Sequence, residues 1–230
     1  MCFADDAAPG SRHIPATDRN SLPATVPGAI KSTRFPRTDR RVQRIESVLA
    51  RRQTSLTVVL EDVHDQHNAS AVLRSCDAVG VLDVHLVYVH EEPPRRAFHR
   101  TTSGSAAKWL RMHFHPSVDD CYAYLRETGQ RIYATALRDD THDLYELDLT
   151  LPTALVFGNE QRGVSDRAIE LADGTVSIPM QGMVESLNIS VACAVSLYEA
   201  MRQRRSAGMY ERPQLDDGTL QAIRDEWLRK

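Results

Sequence analysis

The sequence predicts an α/β domain with a mainly parallel sheet flanked by helices. Three observations point there. The apolar runs Leu56–Leu60, Val84–Val89, Ile132–Leu137 and Ala154–Phe157 are close to continuous rather than alternating, the pattern of strands covered on both faces. Helical signals separate them, so strand and helix alternate along the chain. At 230 residues and 42% hydrophobic, the chain can bury one sizeable core.

The elements follow in order. Residues 1–35 are rich in Pro, Ala, Asp and Ser and read as a disordered leader. A basic helix is expected from Thr38 to Arg52, with Val42, Ile45, Val48 and Leu49 as its apolar stripe. Leu56–Leu60 is a strand, and Ala69–Val79 a helix with Asn68 as its N-cap. Val84–Val89 is a strand, and 90–108 is irregular. Trp109–Phe114 is a strand, and Ser117 caps a helix ending at Gly129. Ile132–Leu137 and Ala154–Phe157 are strands, and Ser165 caps a short helix. Val176–Pro179 is a last strand before a long helix, Asn188–Arg205. A polar tail from Gly208 carries a final helix signal at Thr219.

Composition excludes some classes. No apolar run is long enough to span a bilayer, and Met1–Gly28 lacks a secretory core. Asp5, Asp6 and Asp18 disfavour a mitochondrial address. Cys2, Cys76, Cys121 and Cys193 are scattered, without the spacing of a zinc site or a redox dithiol. A reducing, cytoplasmic setting is the expectation. Net charge is −3, but basic residues cluster at Lys31–Arg52, at Arg95–Arg111, and at Arg202, Arg204, Arg205 and Arg212. These are either a phosphate footprint or solvated helix faces.

A parallel sheet binds ligands beyond the carboxyl ends of its strands. The segment after Leu60 contains no glycine, so neither a dinucleotide turn nor a Walker loop is present. Three segments carry chemistry. Asn68 precedes Arg74 by six residues, and the guanidinium of Arg74 suits a phosphate. Gly158-Asn-Glu160-Gln-Arg-Gly163 follows a strand, with two glycines allowing close backbone approach. Ile178-Pro-Met180 leads to Ser186-Leu-Asn188, polar groups that can cap the long helix or face a ligand. His64 and His67 with Asp62 and Asp65 offer a looser metal-ligand alternative, for which no third cluster is evident.

In this order and spacing the three segments resemble the signature motifs of the SpoU family of RNA 2′-O-methyltransferases, over about residues 37–212. Ala50-Arg-Arg-Gln, Asp77-Ala-Val-Gly-Val and Tyr198-Glu-Ala-x-Arg-Gln-Arg look like its TrmH branch. The resemblance implies an α/β fold with a C-terminal trefoil knot and a homodimer with the active site near its interface. It implies S-adenosylmethionine as methyl donor, held by Thr135, Leu137, Gly158, Ile178, Met180 and Leu187. Arg74, Asn68, Glu160, Ser186 and Asn188 take the catalytic positions. The family's proposed proton acceptor matches Arg74, yet arginine holds its proton above about pH 12. Arg74 is therefore read as gripping a substrate phosphate and polarising the hydroxyl, with that phosphate taking the proton. Arg40, Arg41, Arg44, Arg202 and Arg205, with Arg204 beside them, would hold the RNA. The expected partners are tRNA and a second copy of the chain, not DNA or a membrane. The expected target is the D-loop guanosine at position 18 of tRNA. Ribosomal RNA, another tRNA nucleotide or a non-catalytic RNA-binding role are the alternatives. The domain is taken as 36–212, followed by a tail at 213–230.

Overall fold

The computed structural model describes residues 38–94, 106–138 and 140–230; the leader falls outside them. Among the described residues seven strands form: β1 (Leu56–Glu61), β2 (Asp83–Val87), β3 (Arg111–His115), β4 (Arg131–Thr135), β5 (His142–Asp143), β6 (Thr153–Phe157) and β7 (Gly174–Ser177). They lie in one sheet in the order β3-β2-β1-β6-β4-β7-β5. Each neighbouring pair is parallel. β1 and β6 occupy the middle and are buried along their whole length, which is why they read as unbroken apolar runs. The two-residue β5 has no apolar run and left no signal.

Helices cover both faces. On one, α2 (Gln66–Val79) packs against the long α5 (Ile189–Ser206). Leu56, Val58 and Leu60 of β1 meet Val72, Leu73 and Cys76 of α2, with Cys193, Leu197 and Ala200 of α5. On the other, Val59 joins Cys121, Tyr122 and Leu125 of α3 (Val118–Glu127) and Ala168 of α4 (Asp166–Leu171). The alternation along β1 follows from the two-residue period of a strand. Beyond one edge, α1 (Asp39–Leu49) pairs with α6 (Asp217–Arg229) through Ile45, Leu49, Ile223, Trp227 and Leu228. The segment expected as a polar tail thus contributes a packed helix. No helix among the described residues is long and apolar enough to cross a membrane.

Local signals are mostly realised. Ser117 accepts from the Asp120 N–H and Ser165 from the Ala168 N–H, as capping residues do. Gly80 (φ 91°) ends α2 in the left-handed region. Asn68, however, is not the cap of α2. Asp65 is, its Oδ1 accepting the Asn68 N–H at 2.8 Å. The helix starts earlier, and the amide side chain of Asn68 is left for other partners. β2 stops at Val87 rather than Val89. The Asp62 carboxylate collects the N–H groups of Val89, His90 and Glu91, bending the chain away from the sheet. β3 starts at Arg111 because Ala106–Trp109 forms a 3₁₀ turn, and Trp109 packs edge-on against Trp227.

Two arginines of the basic clusters are internal. Arg52 is wholly buried, reaching Asp77 Oδ1 at 2.5 Å and Val81 O at 2.7 Å. Arg204 is also wholly buried and has no carboxylate partner within salt-bridge distance among the described residues. Its guanidinium donates to Leu149 O, Leu151 O, Ser55 O, Ser55 Oγ and Gln53 Oε1 at 2.8 to 3.3 Å. Burial lowers it to about 10, so it stays charged at neutrality.

Under α3, His85 of β2 lies in register with His113 of β3, and its Nδ1 is 2.8 Å from His115 Nε2. Cys121 brings a third donor atom within 4.8 Å of these, but the two imidazole nitrogens face each other as a hydrogen-bonded pair. Burial, then His113 and His115, depress His85 to about 3. The folded state therefore binds this proton less readily than the unfolded chain. Stability is intact above the ordinary imidazole range and falls as pH drops through it. We expect His85 to cost roughly 3 kcal/mol at pH 4 relative to neutrality. Urea midpoints measured from pH 7 down to about pH 4 should show a shallower decline in His85→Gln than in the wild type. Equal slopes would refute the assignment.

Candidate active site

Because the strands are parallel, the ends of β4, β6 and β7 open onto the same edge. There a cleft of about 590 Å³ is lined by Thr135–Arg138, Phe157–Val164, Ser177, Ile178, Met180, Glu185–Asn188 and the start of α5. All six residues expected to hold a cofactor line it: Thr135, Leu137, Gly158, Ile178, Met180 and Leu187. Thr135 Oγ1 donates to Val156 O at 2.9 Å, tying the end of β4 to β6.

The loop after β6 doubles back on itself. Asn159 and Gly163 exchange backbone hydrogen bonds at 2.9 and 2.8 Å. A Cβ on Gly158 would lie 2.1 Å from the backbone of Gly163, so only glycine fits. Gly163 (φ 71°) supplies the turn. Buried Asn159 organises this loop: its Oδ1 accepts from the N–H of Gln161 and Arg162, and its Nδ2 donates to Asp62 O at 2.9 Å. Sequence reading gave Asn159 no role and weighed Asp62 only as a metal ligand. An asparagine between glycines was the available signal, since its side chain readily bonds nearby backbone.

The three motifs meet through side chains. Glu160 Oε1 accepts from Asn68 Nδ2 at 3.1 Å and from the Asp65 N–H at 3.3 Å. Asn68 Oδ1 in turn accepts from Asn188 Nδ2 at 3.1 Å. Asn188 also caps α5, its Oδ1 accepting the Ser190 N–H at 2.9 Å. Glu160, Asn68 and Asn188, dispersed over 120 residues, thus form one polar chain. Ser186 is exposed on the cleft wall beside it. Glu160 Oε2 is buried and makes no aligned hydrogen bond; its near neighbour is His64 Nδ1 at 3.1 Å.

Arg74 is not brought to this group. Arg74 is exposed, outside the cleft, and without an ion pair among the described residues. Six residues past Asn68, it points about 120° away around the helix. Arg40, Arg41 and Arg44 are exposed on α1. Arg205 is exposed, and Arg202 is ion-paired with Glu199 at 2.7 Å. Arg204, grouped with them by sequence, is closed to any ligand because it is buried. The alternative metal ligands do not converge. Asp62 holds three backbone N–H groups, Asp65 caps α2 and His64 faces Glu160.

A tRNA (guanosine(18)-2′-O)-methyltransferase of Thermus thermophilus is 52% identical over 194 residues, covering 84% of this chain and 98% of that protein. The crystal structure of the Aquifex aeolicus TrmH/SpoU tRNA modifying enzyme matches with a TM-score of 0.75 at 37% identity, covering 83% of this chain and 95% of that one. The SpoU methyltransferase AviRb of Streptomyces viridochromogenes, solved in complex with the cofactor AdoMet, matches with a TM-score of 0.58 at 30% identity, covering 69% and 61%. The model of the SpoU rRNA methylase family matches residues 55–198, which include all three loops and every member of the polar chain. The chain belongs to the SpoU rRNA methylase family.

Proposed function

We propose that this protein transfers a methyl group from S-adenosylmethionine to the ribose 2′-hydroxyl of guanosine 18 in the tRNA D-loop. The observation that carries the reading is the Glu160–Asn68–Asn188 chain bordering a cleft lined by all six cofactor positions. The cleft suits this donor. Gly158, stripped of a side chain by its contact with Gly163, leaves backbone open to a ligand, and the acidic residues Glu160 and Glu185 are among the lining of a cleft that would receive a cation. When bound, S-adenosylmethionine supplies an electrophilic methyl carbon on a positively charged sulfur.

The protein's own part is to position the nucleophile. Asn68 and Asn188 orient the ribose, Ser186 contacts it from the cleft wall, and Glu160 fixes Asn68. Arg74 grips a substrate phosphate. Because it stands outside the cleft of its own chain, its place in the reaction fits a homodimer whose sites lie near the interface. Exposed Val191 and Tyr198, seven residues apart on α5, with exposed Met183 and Val184, form an apolar face suited to that contact. Arg40, Arg41, Arg44, Arg202 and Arg205 hold the tRNA body. The C-terminal path is a trefoil knot; support comes from the strand order, which sets β4 between β6 and β7. The protein acts in the cytoplasm.

Purified protein with labelled S-adenosylmethionine and an unmodified tRNA transcript should place the methyl on guanosine 18. Arg74→Ala should lower the rate about 100-fold or more while donor affinity is kept. Methyl found on ribosomal RNA and not on tRNA would overturn the substrate. Gly158→Ala should weaken donor binding at least about tenfold by calorimetry, near 1.4 kcal/mol. Replacing Arg40, Arg41 and Arg44 together by alanine should flatten the dependence of log tRNA affinity on log salt by roughly 2. An unchanged slope would remove α1 from the footprint.

A further inference from the structure

If methyl transfer to a ribose hydroxyl is the reaction of this cleft, the hydroxyl proton needs an acceptor. Arg74 cannot serve, because a guanidinium has no basic lone pair at neutral pH. A phosphodiester oxygen is a far weaker base than an imidazole. Glu160 is poorly placed itself: Oε1 already accepts two donors, and Oε2 is buried.

What Oε2 faces is His64. A buried carboxylate oxygen without a hydrogen bond is costly, and His64 Nδ1 lies 3.1 Å from it. A small turn of the ring converts that contact into a donated hydrogen bond. Such contacts are commonly loose before substrate binds. His64 is half-exposed, with 46% of its side chain accessible, on the loop between β1 and α2. The carboxylates around it are Glu160 from the loop after β6 and Asp65 from its own loop, while that of Asp62 is taken up by the N–H groups of Val89, His90 and Glu91; His67 shares the field of Asp65. Asn159 Nδ2 is 3.5 Å from the same ring nitrogen but already donates to Asp62 O at 2.9 Å, so Nδ1 is free to donate to Glu160.

We propose that His64 is the proton acceptor of the methyl transfer, oriented by Glu160. With Nδ1–H donating to Glu160 Oε2, the ring holds its open lone pair on Nε2, the arrangement by which a carboxylate sets the tautomer of a histidine base. As the ribose oxygen forms its bond to the methyl carbon, the carbon–sulfur bond breaks and its electron pair stays on sulfur. The hydroxyl proton passes to Nε2. Glu160 and Asp65 offset the charge of the imidazolium, which returns its proton to water once the methylated RNA leaves.

The test is single-turnover transfer to the tRNA transcript at saturating S-adenosylmethionine, from about pH 5.5 to 9. The wild-type rate should rise tenfold per pH unit on the acid side and then level. His64→Ala should be about 100-fold slower on the plateau, with the acid limb gone, the donor affinity kept, and partial rescue by added imidazole. His64→Asn, whose amide can still donate to Glu160 but cannot take a proton, should be equally slow. His64→Asn within about threefold of wild type would reduce His64 to a brace for Glu160 and overturn the proposal. An acid limb that persists in His64→Ala would overturn it too. An inactive wild type that still binds the donor would remove the methyl-transfer reading together with this one, whereas an active wild type with an equally active His64→Ala removes His64 alone.

Discussion

A sheet whose strands all run the same way has one edge where every strand ends, and the site depends on that constraint. β4, β6 and β7 are adjacent in space though not consecutive in sequence. Their terminal loops therefore emerge side by side, and segments as far apart as Thr135 and Asn188 wall a single cleft. Nothing in an isolated loop would hold that shape. The parallel ladder, buried on both faces, fixes where each loop begins, and short-range hydrogen bonding completes it.

Within the loops, a few small polar side chains do more than one thing. Asp62 gathers three N–H groups, while its own carbonyl receives Asn159. Asn159 shapes the turn that carries Glu160. Asn188 caps α5 with its oxygen and reaches Asn68 with its nitrogen. The two asparagine amides each have both a donor and an acceptor, which lets one residue satisfy backbone and also join a neighbouring motif. A carboxylate at 188 could cap the helix but could not donate to Asn68.

The α/β class was legible because buried parallel strands leave apolar runs that survive without an alignment. Ser117 and Ser165 were legible as caps because capping is local. Asn68 was misread as a cap, although its proximity to the site was real, because Asp65 three residues earlier offers the same chemistry and wins by starting the helix sooner. Arg52 and Arg204 looked like surface charge. Their acceptors are backbone and side-chain oxygens up to 151 residues away, and local sequence does not name such partners. The face of α2 that carries Arg74 was legible as helical, but its exposure depends on how α5 lies against that helix. β5 is too short to mark itself.

Arg204 bears on how the domain can be cut. Residues 55–198 delimit the family match, but this side chain lies past that boundary and reaches back to Gln53, Ser55, Leu149 and Leu151. A fragment trimmed to the matched span would leave the acceptors at Ser55, Leu149 and Leu151 facing an empty socket and would cut α5 in half. The smallest autonomous piece of this protein must therefore run past the region by which its family is recognised, at least through the C-terminal turn of α5.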